Sequence, residues 1–275
     1  MLPFSVLMSV YSKENSSNFR TSLESVYSQS LKPSEVIVVE DGPIGEDLIE
    51  VINEYSSMYD NFVVVKLAIN GGLGKALNAG LARCSHEIVA RMDSDDICVP
   101  HRFEKQVGLL SANHSLSLVG SAVAEFVDDP VRLEKVRRVP LSHEQIVRRF
   151  STLCPVNHPS VVYRRSAVMA CGGYAEEFVQ EDYHLWAKML SAGSRFQNLD
   201  EHLVLMRTGQ GLHNRRGGWR YAVSEMKLQL EFYRLGLVSA PRLLFNASSR
   251  TVVRIMPANV RKQVYNSFLR KSLKV

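Results

Sequence analysis

Three carboxylates fall within four residues, Asp93-Ser94-Asp95-Asp96, directly after a strand-like segment from Glu87 to Met92. Like charges this close repel one another unless a cation or a helix start offsets them. Carboxylate oxygens suit Mg²⁺ or Mn²⁺, which typically bind one or two carboxylates together with substrate phosphates. The group therefore predicts a divalent-metal site beside a phosphorylated ligand. The plainer alternative is a solvated turn in which Asp96 caps the helix near Pro100.

Three further acidic residues, in two segments, can do chemistry. Asp41 follows the β-branched run Val36 to Val39 and can accept hydrogen bonds from a base or ribose. Alternatively, it stabilises the Asp-Gly-Pro turn that it begins. Glu181 and Asp182 precede a helical pattern. Asp182 is either an N-cap or a general base whose pKa depends on Glu181 and a metal-bound substrate.

Two glycine-containing loops carry basic residues. Asn70-Gly71-Gly72-Leu73-Gly74 precedes Lys75 and Asn78, but its spacing matches neither Walker A nor G-x-G-x-x-G. It either contacts phosphate or only starts a helix.

A later loop can close over a diphosphate, because arginine matches phosphate oxygens, or it is a solvated turn. Its candidates are Arg207, His213, Arg215 and Arg216. The lone His158 beside Pro159 is a type more often structural than catalytic.

Alternating strand and helix signals predict how these residues are positioned. Strands are expected at Phe4–Val10, 36–39, 62–67 and 87–92, with single helices between them, which implies parallel pairing. Ligands of such sheets bind beyond the carboxyl ends of the strands, where Tyr11 to Glu14, Asp41 and the three-acid group all fall. In the less regular second half, the patterns predict helices from Pro100, from Ser142 to Phe150 and from Tyr183 to Leu190, and strands at Leu116–Phe126 and Val156–Tyr163.

Length and composition limit the protein class. The 275 residues, 45% of them hydrophobic, fit one large domain with an appendage. No run is long enough to span a membrane, and the N-terminus reads as a strand rather than a signal peptide. Four widely spaced cysteines indicate neither a zinc ribbon nor a disulfide framework. These features predict a cytoplasmic protein, soluble or attached to a membrane surface.

The positive charge is concentrated at one end. From Arg215 onward there are 13 Lys and Arg residues and two glutamates, whereas the rest of the chain has a net charge of −6. Between residues 250 and 271 apolar and basic residues interleave, so this segment can lie on an anionic leaflet. The alternative is a pair of helices packed on the domain with a solvated basic face.

Taken in order, the motifs resemble those of the family 2 glycosyltransferases with the GT-A fold, and more narrowly the bacterial enzymes that build O-antigen, capsule or exopolysaccharide repeat units. The resemblance covers about residues 4 to 216. It rests on FSVLMSVY with Glu14, SVYSQS, VVEDG, NGGLGKALN, ARMDSDD, NHPS, GGY and QEDY, which span residues 4–11, 25–30, 38–42, 70–78, 90–96, 157–160, 172–174 and 180–183.

The resemblance implies a fold and a set of roles. The fold would be α/β, with a Rossmann-like nucleotide half (about 1–98) on a mostly parallel sheet, an acceptor half (about 99–215) and a basic helical tail (216–275). Asp182 would be the catalytic base, supported by Glu181. Asp93 and Asp95 would bind Mn²⁺ or Mg²⁺, with His213 as a further candidate ligand. The donor nucleotide sugar would contact Val10, Tyr11, Glu14, Asp41 (at the uracil), Lys75, Asn78, Asp93, Ser94, Arg207 and Arg215, and the acceptor side would include His158 and Asp96.

The implied reaction is an inverting, metal-dependent transfer of glucose or galactose from a UDP-sugar. The acceptor would be GlcNAc or GalNAc on undecaprenyl diphosphate, joined by a β-1,3 linkage, at the cytoplasmic face of the inner membrane. A sugar-phosphate nucleotidyltransferase is an alternative, but it needs a glycine-rich basic loop after the first strand, and residues 11–15 contain no glycine. A nucleic-acid-binding protein would leave the three acids unexplained, so no nucleic-acid partner is expected.

Overall fold

The computed structural model describes residues 2–208 and 218–255. Its strands are β1 (Phe4–Val10), β2 (Glu35–Glu40), β3 (Phe62–Lys66), β4 (Ile88–Arg91), β5 (Ile97–Cys98), β6 (Leu116–Phe126), β7 (Lys135–Arg137), β8 (Val162–Arg164) and β9 (Arg195–Arg207). Its helices are α1 (Ser16–Tyr27), α2 (Glu46–Met58), α3 (Leu73–Arg83), α4 (Arg102–Ala112), α5 (His143–Phe150), α6 (Arg165–Ala170), α7 (Glu181–Ser191), α8 (Trp219–Arg234) and α9 (Ala240–Ile255).

The first half forms the predicted parallel sheet. The strand order is β3-β2-β1-β4-β8-β6-β9-β5, with β7 paired to β6, and β3, β2, β1 and β4 run parallel. Every residue of β2 is buried, as expected for a parallel strand covered on both faces. The carboxyl ends of β2, β1 and β4 therefore lie side by side and deliver their following loops to one edge.

The second half is a mixed extension of the same sheet. β8 runs antiparallel to both β4 and β6, whereas β6 and β9 run parallel with register shifts around Ser121–Val123. The strand predicted at Val156–Tyr163 is wrong over most of its length. Residues His158–Ser160 form a 3₁₀ turn, and the strand itself is Val162–Arg164. Pro159 accounts for this, because proline cannot donate to a strand ladder.

The observed N-cap residues decide whether Asp182 and Asp96 cap helices. Ser142 caps α5 as predicted and forms a capping box with Gln145. The N-cap of α7 is Gln180, so Asp182 lies inside the first turn and the N-cap alternative for it is wrong. The N-cap of α4 is His101, so Asp96 does not cap that helix either.

The C-terminal helices that the structure describes pack on the α/β core. Leu228, Phe232 and Val238 belong to the same buried cluster as Trp186. In the described part of the chain, no helix has the length and apolar character needed to cross a membrane. Residues 256–275, which carry the last part of the predicted basic tail, lie outside the described ranges.

Two helical glycines should respond oppositely to alanine. A Cβ at Gly80 of α3 would lie 2.3 Å from Leu7 Cδ1 and 2.7 Å from Val39 Cγ2. Gly80→Ala should therefore lower the free energy of unfolding by about 1–3 kcal/mol. A Cβ at Gly108 of α4 meets nothing within 4 Å, so Gly108→Ala should raise it by about 0.4–1 kcal/mol. Urea unfolding measures both, and no loss of stability in Gly80→Ala would contradict the packing of α3 on the sheet.

Candidate active site

The acidic loop after β4 begins with an ion pair that the sequence reasoning did not assign. Arg91, 2% exposed, binds both oxygens of Asp93, with 2.6 Å between Nη1 and Oδ2. The hydroxyl of Ser22 donates to the backbone oxygen of Asp93 at 2.9 Å. Asp93 is therefore fixed at both its side chain and its backbone. The available signal was one arginine inside an otherwise apolar strand.

The loop after β1 is tied to the same acidic loop. The Ser94 hydroxyl donates to Glu14 Oε2 at 2.8 Å, and the Asn15 amide donates to Glu14 Oε1 at 2.8 Å. The backbone oxygen of Tyr11 accepts from the Glu14 amide at 3.0 Å. The predicted donor-side residues Tyr11, Glu14 and Ser94 therefore lie together, on two loops joined by a side-chain hydrogen bond.

Asp93, Asp95 and Asp96 form a set that can hold a metal ion. One carboxylate oxygen from each lies within 4.8 Å of the others. Burial, followed by the charges of Asp93 and Glu14, raises the pKa of Asp95 to about 7. Burial, followed by the charges of Asp93 and Asp95, raises the pKa of Asp96 well above its usual value. Asp96 Oδ2 is buried and has no hydrogen-bond partner. A divalent cation fits this set, because it would offset the repulsion and satisfy the buried oxygen.

Arg207 closes the acidic loop from the β9 side. Its backbone amide donates to Asp96 Oδ1 at 2.8 Å, and its Nε donates to the backbone oxygen of Asp95 at 3.2 Å. Its guanidinium lies 4.6 Å from the centre of the Phe126 ring. The predicted contact residue Arg207 is therefore at the acidic loop. The candidates His213, Arg215 and Arg216 lie outside the described residues.

Asp41 holds the glycine loop rather than its own turn. Its two oxygens accept from the amides of Gly71 at 2.7 Å and Gly72 at 3.0 Å. Its own amide donates to the backbone oxygen of Val10 at 2.8 Å. Asp41 thus fixes the start of α3 against the ends of β1 and β2.

Two predicted donor-side residues of α3 have different surroundings. Lys75 is exposed, and its stem covers Gly71, where an added Cβ would meet Lys75 Cδ at 2.4 Å. The Asn78 amide is engaged on both sides by the backbone of Tyr174, donating at 2.7 Å and accepting at 2.8 Å. Asn78 thereby ties α3 to the loop before α7.

Glu181 and Asp182 occupy the first turn of α7, beside the start of α3. A Cβ at Gly74 would lie 3.6 Å from Glu181 Cβ. Burial, followed by the charge of Asp182, raises the pKa of Glu181 to about 8, and the charges of Arg91 and Asp93 also act on it. The two candidate catalytic acids are therefore within electrostatic reach of the acidic loop.

His158 lies beneath the site rather than on an open surface. It is buried, with Nε2 3.2 Å from the Tyr174 hydroxyl and its ring 6.0 Å from that of Trp186. Burial, followed by the charge of Arg91, lowers its pKa well below the usual value. It is thus a neutral, packed side chain in this structure.

Residues 5–172 match the glycosyl transferase family 2. The chain is 40% identical to the amylovoran biosynthesis glycosyltransferase AmsE of Erwinia amylovora, covering 95% of this chain and 97% of that protein. It is 37% identical to the UDP-Gal:alpha-D-GlcNAc-diphosphoundecaprenol beta-1,3-galactosyltransferase of Escherichia coli, covering 98% of each.

The fold is also similar to a solved structure. The Staphylococcus aureus protein TarS, residues 1–349 in complex with UDP-GlcNAc, superposes with a TM-score of 0.70 at 21% identity, covering 98% of this chain and 78% of that one. This likeness confirms the predicted GT-A type of α/β fold. The family match and the two near full-length relatives establish that the chain belongs to glycosyl transferase family 2 and is a glycosyltransferase.

Proposed function

We propose that the protein transfers a hexose, glucose or galactose, from its UDP-sugar to a lipid-linked GlcNAc or GalNAc with inversion at the anomeric carbon. The observation that carries this proposal is the three-carboxylate set of the acidic loop (Asp93–Asp96), which has the acidic first turn of α7 within electrostatic reach. A phosphate-side metal site and a candidate base are the two parts that such a displacement needs. The near full-length relative named for UDP-Gal and GlcNAc-diphosphoundecaprenol favours galactose and a β-1,3 linkage.

The acidic loop would hold Mn²⁺ or Mg²⁺ through Asp93 and Asp95, with Asp96 nearby. Such an ion neutralises charge on a departing diphosphate. The chain's own contribution is to orient the ligands: Arg91 fixes Asp93, and Ser94 joins the loop to Glu14. His213 remains a candidate further ligand.

Asp182 would accept the proton of the acceptor hydroxyl. Its place in the first turn of α7 favours a negative charge there, because the helix dipole is positive at that end. The raised pKa of Glu181 favours its protonated form, which would limit the repulsion between Glu181 and the base. Asp96 would lie toward the acceptor, and the buried His158 would support that side from below.

The donor nucleotide would bind along the ends of β1 and β2. The backbone from Val10 to Glu14 would line the pocket, and Asp41 would accept from the uracil with lone pairs that Gly71 and Gly72 leave available. Lys75, Asn78, Arg207 and Arg215 would complete the donor side.

The basic C-terminal segment would bring the enzyme to its lipid-linked acceptor. Residues 256–275 contain five Lys and Arg residues and no acidic residue. Such a segment is attracted to anionic lipid by about 1 kcal/mol for each charge near the surface. We place the enzyme as a peripheral protein on the cytoplasmic face of the inner membrane.

A transfer assay tests the reaction and the base together. The protein with Mn²⁺ and synthetic GlcNAc-diphosphate-lipid is offered UDP-Gal, UDP-Glc, UDP-GlcNAc and UDP-GalNAc separately. We expect transfer from UDP-Gal or UDP-Glc, and Asp182→Asn should lower kcat by about 10²- to 10⁴-fold with UDP binding retained. Glu177→Gln, an exposed carboxyl in the preceding loop, is the matched control and should retain activity. If UDP binds neither the wild type nor Asp182→Asn, the proposal is refuted.

Metal dependence tests the acidic loop. EDTA should abolish transfer and Mn²⁺ should restore it, and Asp95→Asn should raise the Mn²⁺ concentration for half-activation at least about tenfold. Asp128→Asn removes an exposed carboxylate from the loop after β6 and should leave that concentration unchanged. Full activity in EDTA would contradict the metal site.

Vesicle sedimentation tests the tail. Reversing the four charges of Arg261, Lys262, Arg270 and Lys271 to Glu should weaken binding to phosphatidylglycerol vesicles at least about a hundredfold, because each charge contributes about 1 kcal/mol. The control reverses four exposed basic residues of the domain: Lys32, Arg83, Arg132 and Arg148. Equal loss in both variants would show that the attraction is not specific to the tail.

A further inference from the structure

We propose that α8 positions the catalytic base through Gln180, so that the C-terminal helices are part of the active-site framework. This inference rests on the proposed role of Asp182. Gln180 is the N-cap residue of α7 and directly precedes Glu181 and Asp182. Its backbone oxygen accepts from the His184 amide at 3.1 Å, so the placement of Gln180 sets where the first turn begins.

Two consecutive residues of α8 hold the Gln180 side-chain amide on both sides. The Ser224 hydroxyl donates to Gln180 Oε1 at 3.0 Å, and Gln180 Nε2 donates to Glu225 Oε2 at 3.1 Å. Ser224 Oγ also accepts from the Val179 amide at 3.1 Å. The backbone and the side chain at the start of α7 are therefore both fixed by α8.

Glu225 is itself anchored in a buried polar network. It is 1% exposed, and its Oε1 binds Arg250 Nη1 of α9 at 2.7 Å. Arg250 Nη2 in turn donates to the backbone oxygen of Thr152 at 2.6 Å. The Glu225 carboxylate that binds Gln180 is thus held in place by α9 and, through Arg250, by the segment after α5.

The chemistry of this network favours a positioning role over a purely stabilising one. A buried ion pair carries a desolvation cost that apolar packing of the same volume avoids, so it is weak evidence for stability. The apolar packing of α7 on α8 is already supplied by Tyr183, whose ring lies 4.7 Å from that of Phe232. What the polar contacts add is a defined direction and register for Gln180.

The consequence for the reaction is geometric. A base must lie within hydrogen-bond reach of the proton that it removes, and a displacement of about 1 Å caused by a remote change can cost about a hundredfold in rate. Donor binding depends on other elements, namely the ends of β1, β2 and β4. Loosening Gln180 should therefore change kcat and leave donor affinity unchanged.

The test variant is Gln180→Met, which has a side chain of similar length and lacks both amide contacts while leaving Glu225 paired with Arg250. We expect kcat to fall about tenfold to a hundredfold. The donor KM should stay within about twofold of the wild-type value, since uniform binding is untouched. The backbone amides of residues 181–184 should exchange hydrogen faster than in the wild type. Ser224→Ala should act in the same direction.

The control is Val238→Ala, which removes buried apolar volume from the same helical hairpin without touching a polar contact. It should lower the unfolding temperature at least as much as Gln180→Met, with kcat unchanged. Wild-type kcat and exchange in Gln180→Met, or an equal loss of kcat in Val238→Ala, would overturn the proposal. If the wild type transfers no sugar, the proposed function fails, and the exchange comparison alone still decides whether α8 fixes the start of α7.

Discussion

The active-site region depends on how the protein tolerates concentrated negative charge at one edge of its sheet. Three carboxylates of the acidic loop lie together. The charge of Glu14 acts on Asp95, and the charge of Asp93 acts on Glu181. Burial makes each charge more costly, which raises the pKa of the carboxyls that lack a positive partner. Arg91 and the backbone amides that bind Asp41 and Asp96 offset part of this charge. The negative charge that is not offset can bind a divalent cation and can supply the carboxylate of a base.

The fold arranges this charge with few elements. The parallel pairing of β2, β1 and β4 brings their following loops to one edge. The start of α3 is fixed by Asp41, and it lies beside Glu181 at the start of α7. The N-termini of α3 and α7 therefore lie side by side, and their positive ends favour bound anions. The Asn78 contact to Tyr174 ties α3 to the loop that precedes α7.

The sequence predicted the positions of the site residues better than their partners. Asp41 was placed at a strand end by the β-branched run before it, but its binding to amides 30 residues later depends on how α3 packs. Arg91 fell within a predicted strand, and only its hydrogen bonds in the structure identify it as the partner of Asp93. Gln180 and Ser224 are 44 residues apart, and no local pattern links them. β9 was missed because acidic and polar residues interrupt its apolar pattern, and its pairing with β6 compensates for this.

The most direct test of the central claim is a crystal structure with UDP and Mn²⁺, with the metal located by its anomalous scattering. We expect one strong peak that bridges the diphosphate and the carboxylates of Asp93 and Asp95. The uracil should lie against Asp41, and the carboxylate of Asp182 should face the space beside the diphosphate where the acceptor would bind. A peak elsewhere, or UDP bound away from the ends of β1 and β2, would contradict the assignment of this sheet edge as the active site.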